Sequence, residues 1–177
     1  MPQQREMTPE QYAAMEPDKV LRIMQIIAGA LMAGVVSFGV IDTMIVLNRQ
    51  QPPLPVTDPS VLVGLFFGSV CVVVRFVIGS IISKSGVARI ADIARAGTST
   101  GAKELLGRLL GVAQTRMIVE DAMLEGAAFC NLVMFIISGS MVSATFVVVL
   151  IVLMAMNFPT RLKLGRWLED QQRNLDH

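Results

Sequence analysis

Four long apolar blocks constrain this chain more than any other feature. Ile23 to Leu47 runs for 25 residues with only Gln25, Ser37, Asp42 and Thr43 as polar interruptions. Val61 to Ile82 runs for 22 residues with one charge, Arg75. Met117 to Ile137 runs for 21 residues and carries Glu120, Asp121 and Glu125 in its first half. Met141 to Met156 is 16 residues without a charge, set between Ser138-Gly139-Ser140 and Asn157. A hydrocarbon core about 30 Å thick needs about 20 residues of helix. The first two blocks meet that length outright. The third meets it with its lower turns at headgroup level, and the fourth with help from its flanks. In lipid an open strand cannot satisfy its backbone, so the Val147-Val148-Val149 run is expected to be helical as well.

The expectation is an all-α, polytopic membrane protein with four transmembrane helices in two hairpins. Its divisions are an N-terminal segment (1–22), a first hairpin with a Pro-rich outer loop (23–82), a basic loop with an amphipathic helix (83–116), a second hairpin (117–158) and an amphipathic tail (159–177). Composition agrees: 53% of residues are hydrophobic, 16% are charged, and the mean hydropathy is +0.60. The leader opposes Arg5 to Glu6, Glu10, Glu16 and Asp18. That acidity, with an apolar block far longer than a signal core, argues against a cleaved signal peptide.

Loop charges predict orientation. The Asn48–Ser60 loop has four prolines and one basic residue, Arg49. The Ser83–Arg116 segment holds Lys84, Arg89, Arg95, Lys103, Arg108 and Arg116, and the tail adds Arg161, Lys163, Arg166 and Arg173. The positive-inside rule then puts both termini and the basic loop in the cytoplasm of a cell (inner) membrane.

Two polar-ended segments read as amphipathic. Leu105, Leu106, Leu109 and Val112 share one side of a helix from Gly101 to Arg116, which can run straight into the third block. Beyond Pro159, Leu164, Trp167, Leu168 and Leu175 recur at helical spacing, with Trp167 placed as an interfacial anchor. That tail can lie at the headgroups or dock a cytoplasmic partner. Ala30-Leu31-Met32-Ala33-Gly34 and Ala122-Met123-Leu124-Glu125-Gly126, 92 residues apart, form a weak internal repeat suggestive of a duplicated hairpin.

Small residues predict the packing seams. Gly64, Gly68, Cys71, Arg75 and Gly79 recur every three or four residues and share one helix face, while Gly34 and Gly126 mark seams on the first and third helices. Arg75 therefore points at a neighbouring helix, and an intramembrane charge is expected to have a partner. Matching depth from the cytoplasmic ends selects Glu125, with Asp121 one turn below it, as that partner.

The run Ala122-Met123-Leu124-Glu125-Gly126-Ala127-Ala128-Phe129-Cys130-Asn131-Leu132-Val133 resembles the carboxylate-bearing helix of the ATP synthase c-subunit proteolipid. The resemblance implies an ion-carrying role for Glu125 and assembly into a ring.

Other chemistry is not written in the sequence. No phosphate-binding Gly-rich loop, His/Cys/Asp ligand cluster or Ser–His arrangement occurs, so no enzyme activity, cofactor or metal is expected. Cys71 and Cys130 read as packing residues. A net charge of +1 gives no field to recruit nucleic acid. The expected function is structural or accessory, acting on the lipid bilayer side through helix packing, self-association or membership of a membrane complex. The alternatives are ion or solute handling through Glu125 and Arg75, and a membrane-anchored adaptor for a cytoplasmic partner.

Overall fold

A computed structural model describes residues 7–49, 52–96 and 101–175. These residues form six helices and, among them, no strand: α1 (Pro9–Ala13), α2 (Pro17–Leu47), α3 (Pro59–Arg95), α4 (Ala102–Ser138), α5 (Met141–Asn157) and α6 (Arg161–Leu175). Three of them, α2, α3 and α4, are long and apolar enough to cross a membrane, and a fourth span results if α5 is taken together with α6. All-helical architecture with several membrane-length helices is thus what the apolar blocks specify.

The element bounds differ from the sequence expectation at two places. Residues 83–95 belong to α3 and not to a loop, because Ser83 to Arg95 contains no proline and only Gly86 as a weak helix former. The helix from Gly101 and the third apolar block are one element, α4, as their uninterrupted sequence allows. The tip of the basic loop (97–100) and the two C-terminal residues lie outside the described residues, as do residues 1–6, 50 and 51.

The chain divides into two compact units. One, here the bundle unit, comprises 26–79 and 118–158 and contains the apolar stretches of α2, α3, α4 and all of α5. Its core is built from Val35, Cys71, Leu124, Ala127, Ala128, Leu132, Val147, Leu150 and Met154. Within this unit α4 is the most enclosed helix: 44% of its apolar window is buried, against 28% for α3 and 11% for α2. Its neighbours fall at consistent registers. Gly79 lies against Glu120, Gly68 against Asn131, and Gly64 against Met134, so α3 runs antiparallel to α4. Gly34 lies by Glu125 and Phe129, and Gly39 by Leu132, so α2 runs parallel to α4. The residues of the weak internal repeat are thereby side by side at similar height. A tight turn at Gly139 (φ +66°) returns the chain from α4 into α5; that left-handed backbone is one that glycine adopts without strain.

The outward faces of this unit are apolar. Leu62, Phe66, Val73 and Phe76 on α3, and Val148 and Val152 on α5, are all exposed. Where lipid is the solvent, helices associate through close packing and interhelical hydrogen bonds, not through hiding such residues.

The other unit, here the terminal unit, comprises the chain up to Gln25, Ser80–Met117 and Pro159 onward. Leu109, Leu110 and Ala113 of α4, Ile90 of α3, Val20, Leu21 and Met24 of α2, and Leu164 and Leu168 of α6 are among its buried residues. Gly86 of α3 fits against Val112 of α4. The start of α6 is joined to α2 by a hydrogen bond from Gln25 Nε2 to the Pro159 carbonyl, 3.1 Å, and by an exposed Arg161–Asp18 pair at 3.3 Å.

Candidate functional site

Charged residues inside the bundle unit are the natural place to look for chemistry, because each is costly there unless it serves a role. Gly64, Gly68, Cys71, Arg75 and Gly79 are all buried on one face of α3. What lies opposite is a polar line on α4. Glu120 presses on Gly79, where a Cβ atom would collide with its carboxylate. Glu120 also accepts a 3.4 Å hydrogen bond from Asn157 Nδ2 of α5. Asn131 donates from Nδ2 to the Gly64 carbonyl (3.0 Å) and to the Ala127 carbonyl (2.9 Å), tying α4 to α3.

Arg75 is 5% exposed and Asp121 is 1% exposed. The Arg75 guanidinium stands 5.0 Å from the Phe76 ring centre. Arg75 Nε and Nη1 and Asp121 Oδ1 nevertheless have no hydrogen-bond partner. Both inner charges are therefore buried without being locked to each other.

The Arg75–Glu125 pair expected from depth does not form. Glu125 is only half-buried and its carboxylate lies near Gly34, on the side of α4 that faces α2. The reason is helical phase. Successive residues turn by about 100°, so Glu125 is rotated about 100° away from Leu124, whose side faces the core. Equal depth does not give equal azimuth. Asp121, the secondary expectation, is buried like Arg75.

The remaining expected sites divide similarly. Gly34 does meet α4, through Glu125 and Phe129. Gly126 is exposed, and a Cβ there would meet nothing within 4 Å, so it is not a seam residue. Trp167 is half-buried, while Leu164 and Leu168 of the same stripe are buried within the chain. Leu164 and Leu168 of α6 thus pack on protein, while the Leu175 side chain lies outside the described residues. Cys71 and Cys130 are free thiols. Among the described residues no group of three or more His, Cys, Asp or Glu side chains could hold a metal.

Two features escaped the sequence reading. Asp42, one of the polar interruptions of the first block, is 0% exposed and neither carboxylate oxygen has a partner. Its signal is the seven-residue spacing Leu21, Ala28, Val35, Asp42, all buried on α2. The second is in the terminal unit. The Tyr12 main chain occupies the place of a Cβ on Gly107, a Cβ on Gly111 would stand 3.7 Å from the Tyr12 ring, and the Arg108 guanidinium sits 4.6 Å over that ring. Arg108 in turn pairs with buried Glu104 at 2.8 Å. The small-xxx-small pair Gly107/Gly111 beside the chain's one tyrosine was the available signal.

Cavities add little polar surface. A groove of about 470 Å³ between α2 and α5 is lined by apolar residues apart from Thr43, whose hydroxyl donates to the Gly39 carbonyl at 2.7 Å. Comparison of the chain with protein-family models, curated proteins and solved structures finds no match.

Proposed function

We propose that this chain is an integral membrane protein of four spans, arranged as two hairpins with both termini cytoplasmic, that handles a proton or small ion through charges in its bundle. The observation carrying this reading is the pair Arg75 and Asp121: a buried cation and a buried carboxylate in one unit, with three polar atoms left unpartnered. A purely structural clip gains most when every lone pair and proton is satisfied. Unpartnered buried groups instead suit a site that binds water or an ion in turn. Glu120 and Asn157 sit beside Asp121 in sequence or contact and would relay toward the basic, cytoplasmic side.

The test is flux in proteoliposomes, read with an interior pH dye under an imposed potential in sodium and in choline medium. Dissipation that Asp121→Asn and Arg75→Gln abolish, while Glu125→Gln preserves it, supports the reading. Flux indistinguishable from empty liposomes overturns it. The likeness to the c-subunit proteolipid makes Glu125 the carrier instead; carbodiimide labelling of Glu125 in preference to Asp121 at near-neutral pH, with flux lost in Glu125→Gln, is the outcome on that side.

A second reading, an accessory or scaffold subunit acting through self-association or partners, is favoured by the broad apolar exterior of α3 and the tight glycine seam. Native mass after mild-detergent extraction separates it: a defined oligomer or a co-purifying subunit, with no flux, selects this alternative.

A further inference from the structure

The three side chains Asp42, Asn131 and Ser143 are each 0% exposed in the bundle unit, and four of their oxygen atoms have no hydrogen-bond partner: Asp42 Oδ1 and Oδ2, Asn131 Oδ1 and Ser143 Oγ. They come from three different helices, α2, α4 and α5, yet helix registers bring them to neighbouring heights. Parallel α2 and α4 pair Gly39 with Leu132 and Phe38 with Phe129, which puts Asp42 level with residues 133–135 of α4. Antiparallel α4 and α5 join at the Ser138–Ser140 contact and again at Glu120–Asn157, which puts Ser143 level with residues 134–135. Both therefore sit at one height.

They also point the same way. Ser143 begins the buried face of α5 that continues through Val147, Leu150 and Met154. Asp42 continues the buried face of α2 through Val35, which shares the core cluster with those same α5 residues. Asn131 is one turn lower, about 5 Å, and its orientation is fixed. Its Nδ2 is held by the Gly64 and Ala127 carbonyls, and its Oδ1 faces Gly64, the α3 residue that lies against Met134. The free amide oxygen is thus directed toward the height of Asp42.

We infer that Asp42, Asn131 and Ser143 form a binding site for a small monovalent cation, of which sodium is the representative. The ligand class follows from the donors. All four free atoms are hard oxygens, the set that suits alkali and alkaline-earth ions and not zinc or copper. One carboxylate supplies one negative charge. A monovalent ion neutralises it, whereas a divalent ion leaves a net charge in an apolar interior, at high cost. This site is separate from Arg75–Asp121 and does not depend on transport.

The test uses the purified full chain in mild detergent. Thermal unfolding and ²³Na line width are followed while sodium chloride replaces choline chloride at constant ionic strength. Sodium-specific stabilisation and broadening of the ²³Na signal are expected in the unmodified protein. Asp42→Asn should abolish both, and Ser143→Ala, a smaller change that keeps the fold, should raise the sodium midpoint about tenfold. Equal responses to sodium and choline in the unmodified protein overturn the site whatever the variants do. A sodium response that survives both substitutions assigns the ion elsewhere and overturns it too. Failure of the flux test leaves this outcome unaffected, because binding is read without transport.

Discussion

Gly79 and Gly126 are both glycines in apolar helices, and their surroundings give opposite expectations. At Gly79 a Cβ would land on the Glu120 carboxylate, which is itself held by Asn157. Gly79→Ala should therefore destabilise the protein by about 1–3 kcal/mol, the usual range for overpacking. At Gly126 nothing stands within 4 Å, so Gly126→Ala should be neutral or gain up to about 1 kcal/mol from helix propensity. Unfolding in mixed micelles measures both, and equal losses would contradict the packing described. The same scale holds the test of the charges. Arg75→Gln and Asp121→Asn should couple by about 0.5–3 kcal/mol in a double-mutant cycle, whereas Arg75→Gln and Glu125→Gln should add to within about 0.5 kcal/mol. A coupled Arg75–Glu125 cycle would restore the depth-based pairing. Depth was legible in the sequence because helical rise is uniform. Azimuth was not, since it depends on which neighbour lies on which side of α4.

At the scale of elements, the sequence was most readable where one periodicity served one face. The α3 seam is such a case, with its small residues at spacings of three and four. It was least readable on α4, whose N-terminal half is covered from several sides: Gly107 and Gly111 take Tyr12, and Val112 takes Gly86. No single stripe records that. The docking of α1 yields a prediction. Gly107→Ala puts a methyl group where the Tyr12 carbonyl lies, and backbone cannot move aside as a flexible side chain can. Residues 8–14 should then lose their amide protection in hydrogen exchange, including Tyr12 N–H, which bonds the Thr8 carbonyl at 3.1 Å. Gly111→Ala, at ordinary contact distance from the ring, should leave it intact. The start of α3 yields another. Asp58 accepts hydrogen bonds from the Ser60 hydroxyl and backbone N–H, which hold its carboxyl below the usual carboxylate pKa. A lowered folded-state pKa means stabilisation that is present above the unfolded value, about 3.9, and lost as pH falls through the folded one. The stability gap between the unmodified chain and Asp58→Ala should accordingly narrow below about pH 4; a gap that widens on acidification would exclude the cap.

For the whole molecule, the parity of the spans turns on α5. Its 17 residues extend about 26 Å at 1.5 Å per residue, short of a 30 Å hydrocarbon core. Ser140 and Phe158 at its ends can sit in the headgroup region and close the difference. Charge asymmetry argues for four spans. One basic residue lies in the Pro-rich loop, against six between Ser83 and Arg116 and four after Pro159, and four spans alone put both basic groups on the cytoplasmic side. With Cys71 and Cys130 replaced by alanine, single cysteines at three exposed positions decide it: Met7→Cys, Thr57→Cys and Gln172→Cys. A membrane-impermeant maleimide should label Thr57→Cys in intact cells, and Met7→Cys and Gln172→Cys only after permeabilisation. If Met7→Cys and Gln172→Cys label from opposite sides, the number of spans is odd. α5 then does not cross, and the relay from Asp121 through Asn157 is not enclosed by a fourth transmembrane helix.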